Sequence, residues 1–287
     1  MERTSVLRRS KEAGWLVACA LLFVVSLAAD SSAQPWVARH GMTAAQYQSE
    51  FNTWVSQGFR LADVSGYNVA GVPRFAAIWV KKAGPAWVAR HGMTSAQYQT
   101  EFNTWVGKGY RLVVVDGYEQ SGQARYAALW ELKSGPAWVA RHGMTSAQYQ
   151  NEFDTWVGRG YRLKWVQGYG IGSTDYYAAI WERTTGPAWV AHHGMTSATY
   201  QGTFNAYVAQ GYRLTHVSGY NAAGTDYYAA IWEKSPGPAW VARHRLTSEQ
   251  YQQTFNTLTS QGYRLKLVDG YAIGTTARYA AIFEAQP

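Results

Sequence analysis

The sequence predicts a mixed α/β tandem-repeat fold, five units of β-α-β-β packed into one continuous structure, either a closed, propeller-like ring or an open arc. Three observations predict it. Trp36, Trp87, Trp138, Trp189 and Trp240 recur at a constant spacing of 51 residues, with nearly the same text around each. Every copy holds a stretch with helical apolar spacing behind a capping signature. Every copy then closes with two short β-rich runs separated by turn residues. The repeats span 35–84, 85–135, 136–186, 187–237 and 238–287, joined by short junctions such as Lys133-Ser134-Gly135-Pro136.

The second copy carries a local signal for each element. Trp87–His91 is short and apolar, and reads as a strand or an extended lead-in. Thr94 is a good N-cap, and Gln97 three residues later completes a capping box, with Met93 and Tyr98 placed as a hydrophobic staple. Tyr98, Phe102, Trp105 and Val106 fall on one helical face. Gly107 and Gly109 stop the helix, Gly109 suiting the left-handed turn that follows. Tyr110–Val115 reads as a strand, Asp116-Gly117 and Ser121-Gly122 as turns, and Arg125–Glu131 as a second strand.

One such unit is too small to bury its own faces, so neighbours must stack. Neither the first nor the last copy carries an obvious polar capping unit, which favours the closed arrangement over the arc.

Composition narrows the function classes. The chain of 287 residues is 47% hydrophobic and 15% charged, which is globular rather than disordered. Its 14 Trp and 21 Tyr suit either a dense core or a binding face. Basic residues up to Lys11, the apolar run Gly14–Ala29 and the small residues Ser31-Ser32-Ala33 read as a signal peptide, 1–33. The protein is therefore expected to be secreted, or to reside in the periplasm or cell envelope. The apolar run is short for a membrane span, and nothing later in the chain is long enough. Cys19 sits in mid-run, where a lipoprotein site would not lie, so the remaining chain has no cysteine. Without residues 1–33 the charge is +7, from 22 basic and 15 acidic residues, which attracts acidic polymers without naming one.

The run W-V-A-R-H-G-M-T-S-x-x-Y-Q, the G-Y-R-L, the later G-Y and the R/Y-Y-A-A-I/L-W-E resemble the bacterial tandem repeat of polyglycine-hydrolase-like proteins. The resemblance covers 35–287. In that family such repeats often precede a β-lactamase-like serine hydrolase domain, and it is this domain that carries catalysis. Here S-x-x-K, which would hold the nucleophile and its activating lysine, is absent. Tyr149-Gln150-Asn151 and Lys133-Ser134-Gly135 match the other two hydrolase boxes only by falling in a helix and a junction. No catalytic residue is assigned, and no cofactor or metal is expected.

The remaining candidates repeat. His40, His91, His142, His193 and His244 occur once per unit; they either converge on an axis or pack at their own helix start, and the spacing favours packing over metal. Tyr67, Tyr118, Tyr169, Tyr220 and Tyr271, with Arg60, Arg111, Arg162, Arg213 and Arg264, are the candidate binding residues, because Arg beside aromatic rings suits stacked and charged ligands. The competing structural reading lays the Arg stem over a ring and its head on a strand Glu. The loops Val69–Pro73, Gln120–Gln123, Ile171–Asp175, Ala222–Asp226 and Ile273–Ala277 vary most and sit between the two strands, where recognition surfaces are often carried. The expected function is a non-catalytic binding scaffold for a protein or polysaccharide polymer, with nucleic acid disfavoured. The alternative is an accessory module of a serine hydrolase, or such a hydrolase itself.

Overall fold

In the computed structural model, residues 34–286 are described. The expected signal peptide, with Cys19, lies outside them. Five copies of strand–helix–strand–strand follow in order: β1 (Trp36–Met42), α1 (Ala44–Ser56), β2 (Arg60–Val69), β3 (Val72–Val80); β4 (Trp87–Met93), α2 (Ser95–Gly107), β5 (Arg111–Gln120), β6 (Gln123–Glu131); β7 (Trp138–Thr145), α3 (Ser146–Gly158), β8 (Arg162–Ile171), β9 (Thr174–Glu182); β10 (Trp189–Thr196), α4 (Ser197–Ala209), β11 (Arg213–Ala222), β12 (Thr225–Glu233); β13 (Trp240–Leu246), α5 (Ser248–Ser260), β14 (Tyr263–Ile273) and β15 (Thr276–Ala285). Each copy forms its own three-stranded antiparallel sheet, ordered β1-β3-β2 in the first and equivalently in the rest.

The helix ends are built as their residues require. Thr94 accepts from the Gln97 N–H, and the Gln97 side chain accepts from the Thr94 N–H. At the other end Gly109 adopts φ +84°, its N–H donates to Val106 and that of Tyr110 to Trp105. Those two bonds make the Schellman ending that a left-handed glycine permits.

The middle strands explain the near-continuous apolar text. In β3, Phe75, Ala77 and Trp79 pack with Tyr47 of their own helix, whereas Ala76, Ile78 and Val80 pack with Tyr251, Tyr279 and Phe283 of repeat five. Both faces are buried, so period-two alternation is lost. Five clusters of this kind occur among the described residues, each shared by two repeats. Repeat five meets repeat one through the same kind of cluster that joins every other neighbouring pair.

One expectation fails. Asp116-Gly117 is not a turn but the middle of β5, which runs on to Gln120. The Asp116 carboxylate accepts from the Gly66 N–H at 2.6 Å, so an apparent turn residue serves as a buried link between sheets. Glycine at this position admits a ring rather than a bend: a Cβ on Gly66, its counterpart in repeat one, would come within 2.5 Å of the Tyr118 ring. The true turn is the two-residue tip Ser121-Gly122, where both residues take positive φ.

Candidate functional site

All five repeats contribute to one cavity of about 350 Å³, walled by the Gly-Tyr pairs Gly66-Tyr67, Gly117-Tyr118, Gly168-Tyr169, Gly219-Tyr220 and Gly270-Tyr271. Asn68, Glu119, Gln167 and Asn221 add polar residues. The hairpin tips stand at its rim, with Gly71, Gly172, Gly224 and Gly274 in the lining. Four of the five variable loops singled out in the sequence therefore stand around a concave site, the repeat-two loop Gln120–Gln123 being outside its lining.

The five tyrosines are brought together here, but their rings do not face the cavity. Each side chain is buried, with Tyr67 only 3% exposed. Tyr118 lies on Gly66, Tyr220 on Gly168, Tyr271 on Gly219 and Tyr67 on Gly270, so every ring is laid on the preceding repeat. The hydroxyls meet a second tyrosine in that repeat, as in Tyr169 with Tyr126 at 2.6 Å and Tyr67 with Tyr279 at 2.7 Å. Tyr118 meets Phe75 instead, edge to face. Desolvation raises every one of these phenol pKa values, which keeps them neutral. What they offer a ligand is backbone and shape.

The arginines sit elsewhere. Arg60 pairs with Glu131 of repeat two at 3.2 Å, donates to the Pro85 carbonyl and lies over Trp87. Arg111, Arg162 and Arg213 repeat the clamp on Glu182, Glu233 and Glu284. Arg264 is half-buried, and the position that supplies the partner Glu elsewhere is Val80 in repeat one. Four of these side chains set the head on a strand Glu, as in the competing structural arrangement, and in Arg60, Arg111 and Arg162 the guanidinium also lies over a Trp ring.

The histidines pack, though not where expected. His91 stands edge-on to Tyr47 and Phe75, and His142 to Tyr98 and Tyr126, so each caps the helix of the repeat before its own. His142 also meets the Ser95 hydroxyl at 3.1 Å. Burial lowers their pKa values. Among the described residues no group of three or more His, Cys, Asp or Glu is placed to hold a metal.

Sequence reasoning missed the layer beneath the cavity. Ser65, Asp116, Gln167, Ser218 and Asp269 occupy the position before each Gly-Tyr pair, and all are buried. The Gly168 N–H donates to Ser218, Gly219 to Asp269 and Gly270 to Ser65, repeating the Gly66–Asp116 bond around the structure. Gln167 donates to Asp269 at 2.8 Å, crossing between repeats three and five. Burial pushes Asp269 up to about 7 and Asp116 well above the ordinary carboxylate range, the charge of Asp269 adding to the latter. A signal existed: one invariably polar position inside an otherwise apolar strand, repeated five times. These groups tie sheets together, and of the five only Gln167 is part of the cavity lining.

A family model described as a polyglycine hydrolase-like structural repeat matches residues 33–82, 84–132, 135–184, 186–235 and 237–286. The chain belongs to this repeat family. The polyglycine hydrolase-like repeats thus account for nearly all of the described residues, and each match holds one complete helix and three strands. No helix among the described residues is long and apolar enough to cross a membrane.

Proposed function

We propose that the protein is an exported, non-catalytic scaffold in which five repeats close into a propeller-like ring and bind an extended polymer or protein partner across the cavity mouth. Closure is supported by the bonds from Gly270 to Ser65 and from Val268 to Asp63, which tie repeat five to repeat one as the other repeats are tied. The observation that carries the binding reading is the cavity itself. It is built from the same backbone pair five times over and rimmed by four of the five most variable loops. Quasi-equivalent contacts around one mouth suit a repetitive or extended ligand, because weak sites add through avidity.

The family description motivates the second reading, an accessory module working beside a hydrolase, or a hydrolase in its own right. The binding reading is favoured because the ionisable groups nearest the cavity floor are buried and committed to backbone links.

The test is a pull-down with the purified protein from secreted and envelope fractions, beside a lane treated with a serine-reactive phosphonate. A salt-resistant partner that is lost when Ala272→Trp fills the cavity mouth, without probe labelling, is the expected result. Labelling that disappears on heat unfolding would overturn it in favour of hydrolysis.

A further inference from the structure

Every sheet ends on an edge strand. β1, β4, β7, β10 and β13 each pair only with the middle strand of their sheet, leaving one side of the backbone free. Grooves run beside three of these edges, with the preceding helix as the opposite wall: α5 beside β1, α4 beside β13 and α3 beside β10. Trp189, Val190, Ala191 and His192 all line the last of these. Successive side chains on a strand point to opposite faces. Four successive lining residues therefore mean that the groove follows the backbone edge itself.

A free edge presents alternate N–H and C=O groups that a second extended chain can pair. In four repeats the edge is guarded. Arg39 curls back to donate to the Ala38 carbonyl, and Arg90, Arg141 and Arg243 do the same to Ala89, Ala140 and Ala242, at 2.8–3.0 Å. Repeat four has His192 at this position. Its ring instead stacks on Tyr207 and meets that hydroxyl at 3.0 Å, both side chains lining the groove, and it makes no bond to the Ala191 carbonyl.

The equivalent carbonyl, that of Ala191, faces the groove. The Ala188 carbonyl accepts from the Lys234 N–H, toward β12. Backbone groups alternate sides along a strand, so Val190 also faces β12 and Ala191 faces outward. Among the described residues no side chain donates a hydrogen bond to the Ala191 carbonyl, in contrast to the four arginine-guarded edges.

We propose that the α3–β10 groove is a strand-addition site that takes an extended polypeptide segment carrying acidic side chains. The free edge sets the backbone: only a β-extended polypeptide offers donors and acceptors at the matching repeat. Phe153, Val157 and Trp189 provide an apolar wall in a groove of about 320 Å³, which suits apolar side chains at alternate positions of the segment. Charge complementarity sets the other face. Without residues 1–33 the chain carries +7, and Arg159 caps α3 just beyond Val157, whereas Arg162 beneath Trp189 is already paired with Glu233. This site lies apart from the cavity mouth and does not depend on the function proposed for it.

The test uses a fluorescein-labelled ten-residue peptide alternating Val and Glu, and the same peptide N-methylated at every second residue, read by anisotropy against the full protein. The expected result is one-to-one binding that N-methylation abolishes. His192→Arg installs the residue that the other four repeats carry, so it folds; it restores the guard and should weaken binding at least tenfold, although it adds a positive charge. Arg141→His should open a second site and raise the stoichiometry to two. Ala272→Trp at the cavity mouth should change nothing. No binding by the native protein, equal binding of the N-methylated peptide, or tighter binding by His192→Arg would each overturn the proposal, the last two pointing to simple charge attraction.

Discussion

Asp116 shows how one residue joins local chemistry to the whole. Its carboxylate is enclosed, accepts a single backbone N–H from Gly66, and has one oxygen without a protein partner. Desolvation first, then the charge of Asp269, raises its pKa, while Asp63 and Asp269 sit at about 7. A carboxyl whose folded pKa lies above its unfolded value binds protons more tightly when folded, so its stabilising contribution is full in acid and is lost as pH rises through the raised value. The histidines act in the opposite sense and at lower pH: burial lowers the interface imidazoles and holds His216 at about 4. Once the pH is well above the ordinary imidazole range, the alkaline limb reports the carboxyls. The melting temperature should fall between about pH 7.5 and pH 9, and Asp116→Asn, which keeps an acceptor for Gly66, should flatten that fall. An unchanged slope in thermal melts across this range would mean that Asp116 titrates normally.

At the scale of the element, the helices were legible because their signals are local. Thr94, Gln97 and Gly109 fix both ends through bonds to nearby residues, and the structure reproduces them. Repeat four supplies a natural variant. Thr199 replaces the glutamine, so Thr196 accepts from the Thr199 N–H but the reciprocal side-chain bond is missing. Thr199→Gln should complete the box and stabilise by about 0.5 kcal/mol, at the lower end of capping effects, visible as a higher urea midpoint with an unchanged slope. What was illegible depends on partners distant in sequence. Asp116-Gly117 carries turn residues by composition, yet it is strand because Gly66 and Tyr169 come from other repeats. The Tyr and Arg candidates were correctly singled out as recurrent. Text alone does not reveal that Tyr220 is laid on Gly168, or that Arg60 reaches a glutamate 71 residues on.

At the scale of the molecule, the contact between the first and last repeats decides the architecture. The cluster holding Tyr67, Ile78 and Val80 with Tyr251, Leu265 and Phe283 is the same joint that links every other neighbouring pair. An open arc would leave both of its halves in water, and apolar burial is worth roughly 25 cal/mol per Å². Two rearrangements separate the architectures. Deleting 238–287 removes one unit and bares the apolar faces of repeats one and four, so the product should oligomerise or aggregate in light scattering. A permutant that joins Ala285 to Trp36 through a copy of the Lys81–Ala86 junction, and opens the chain between Leu132 and Pro136, keeps all five joints. In a closed ring it should remain monomeric and melt within a few degrees of the parent, because only a connection has moved. In an arc the same cut would create two new ends at a packed joint and leave the old one unsatisfied. The permutant would then melt far below the parent, while the deletion would cost little more than one repeat's share of stability.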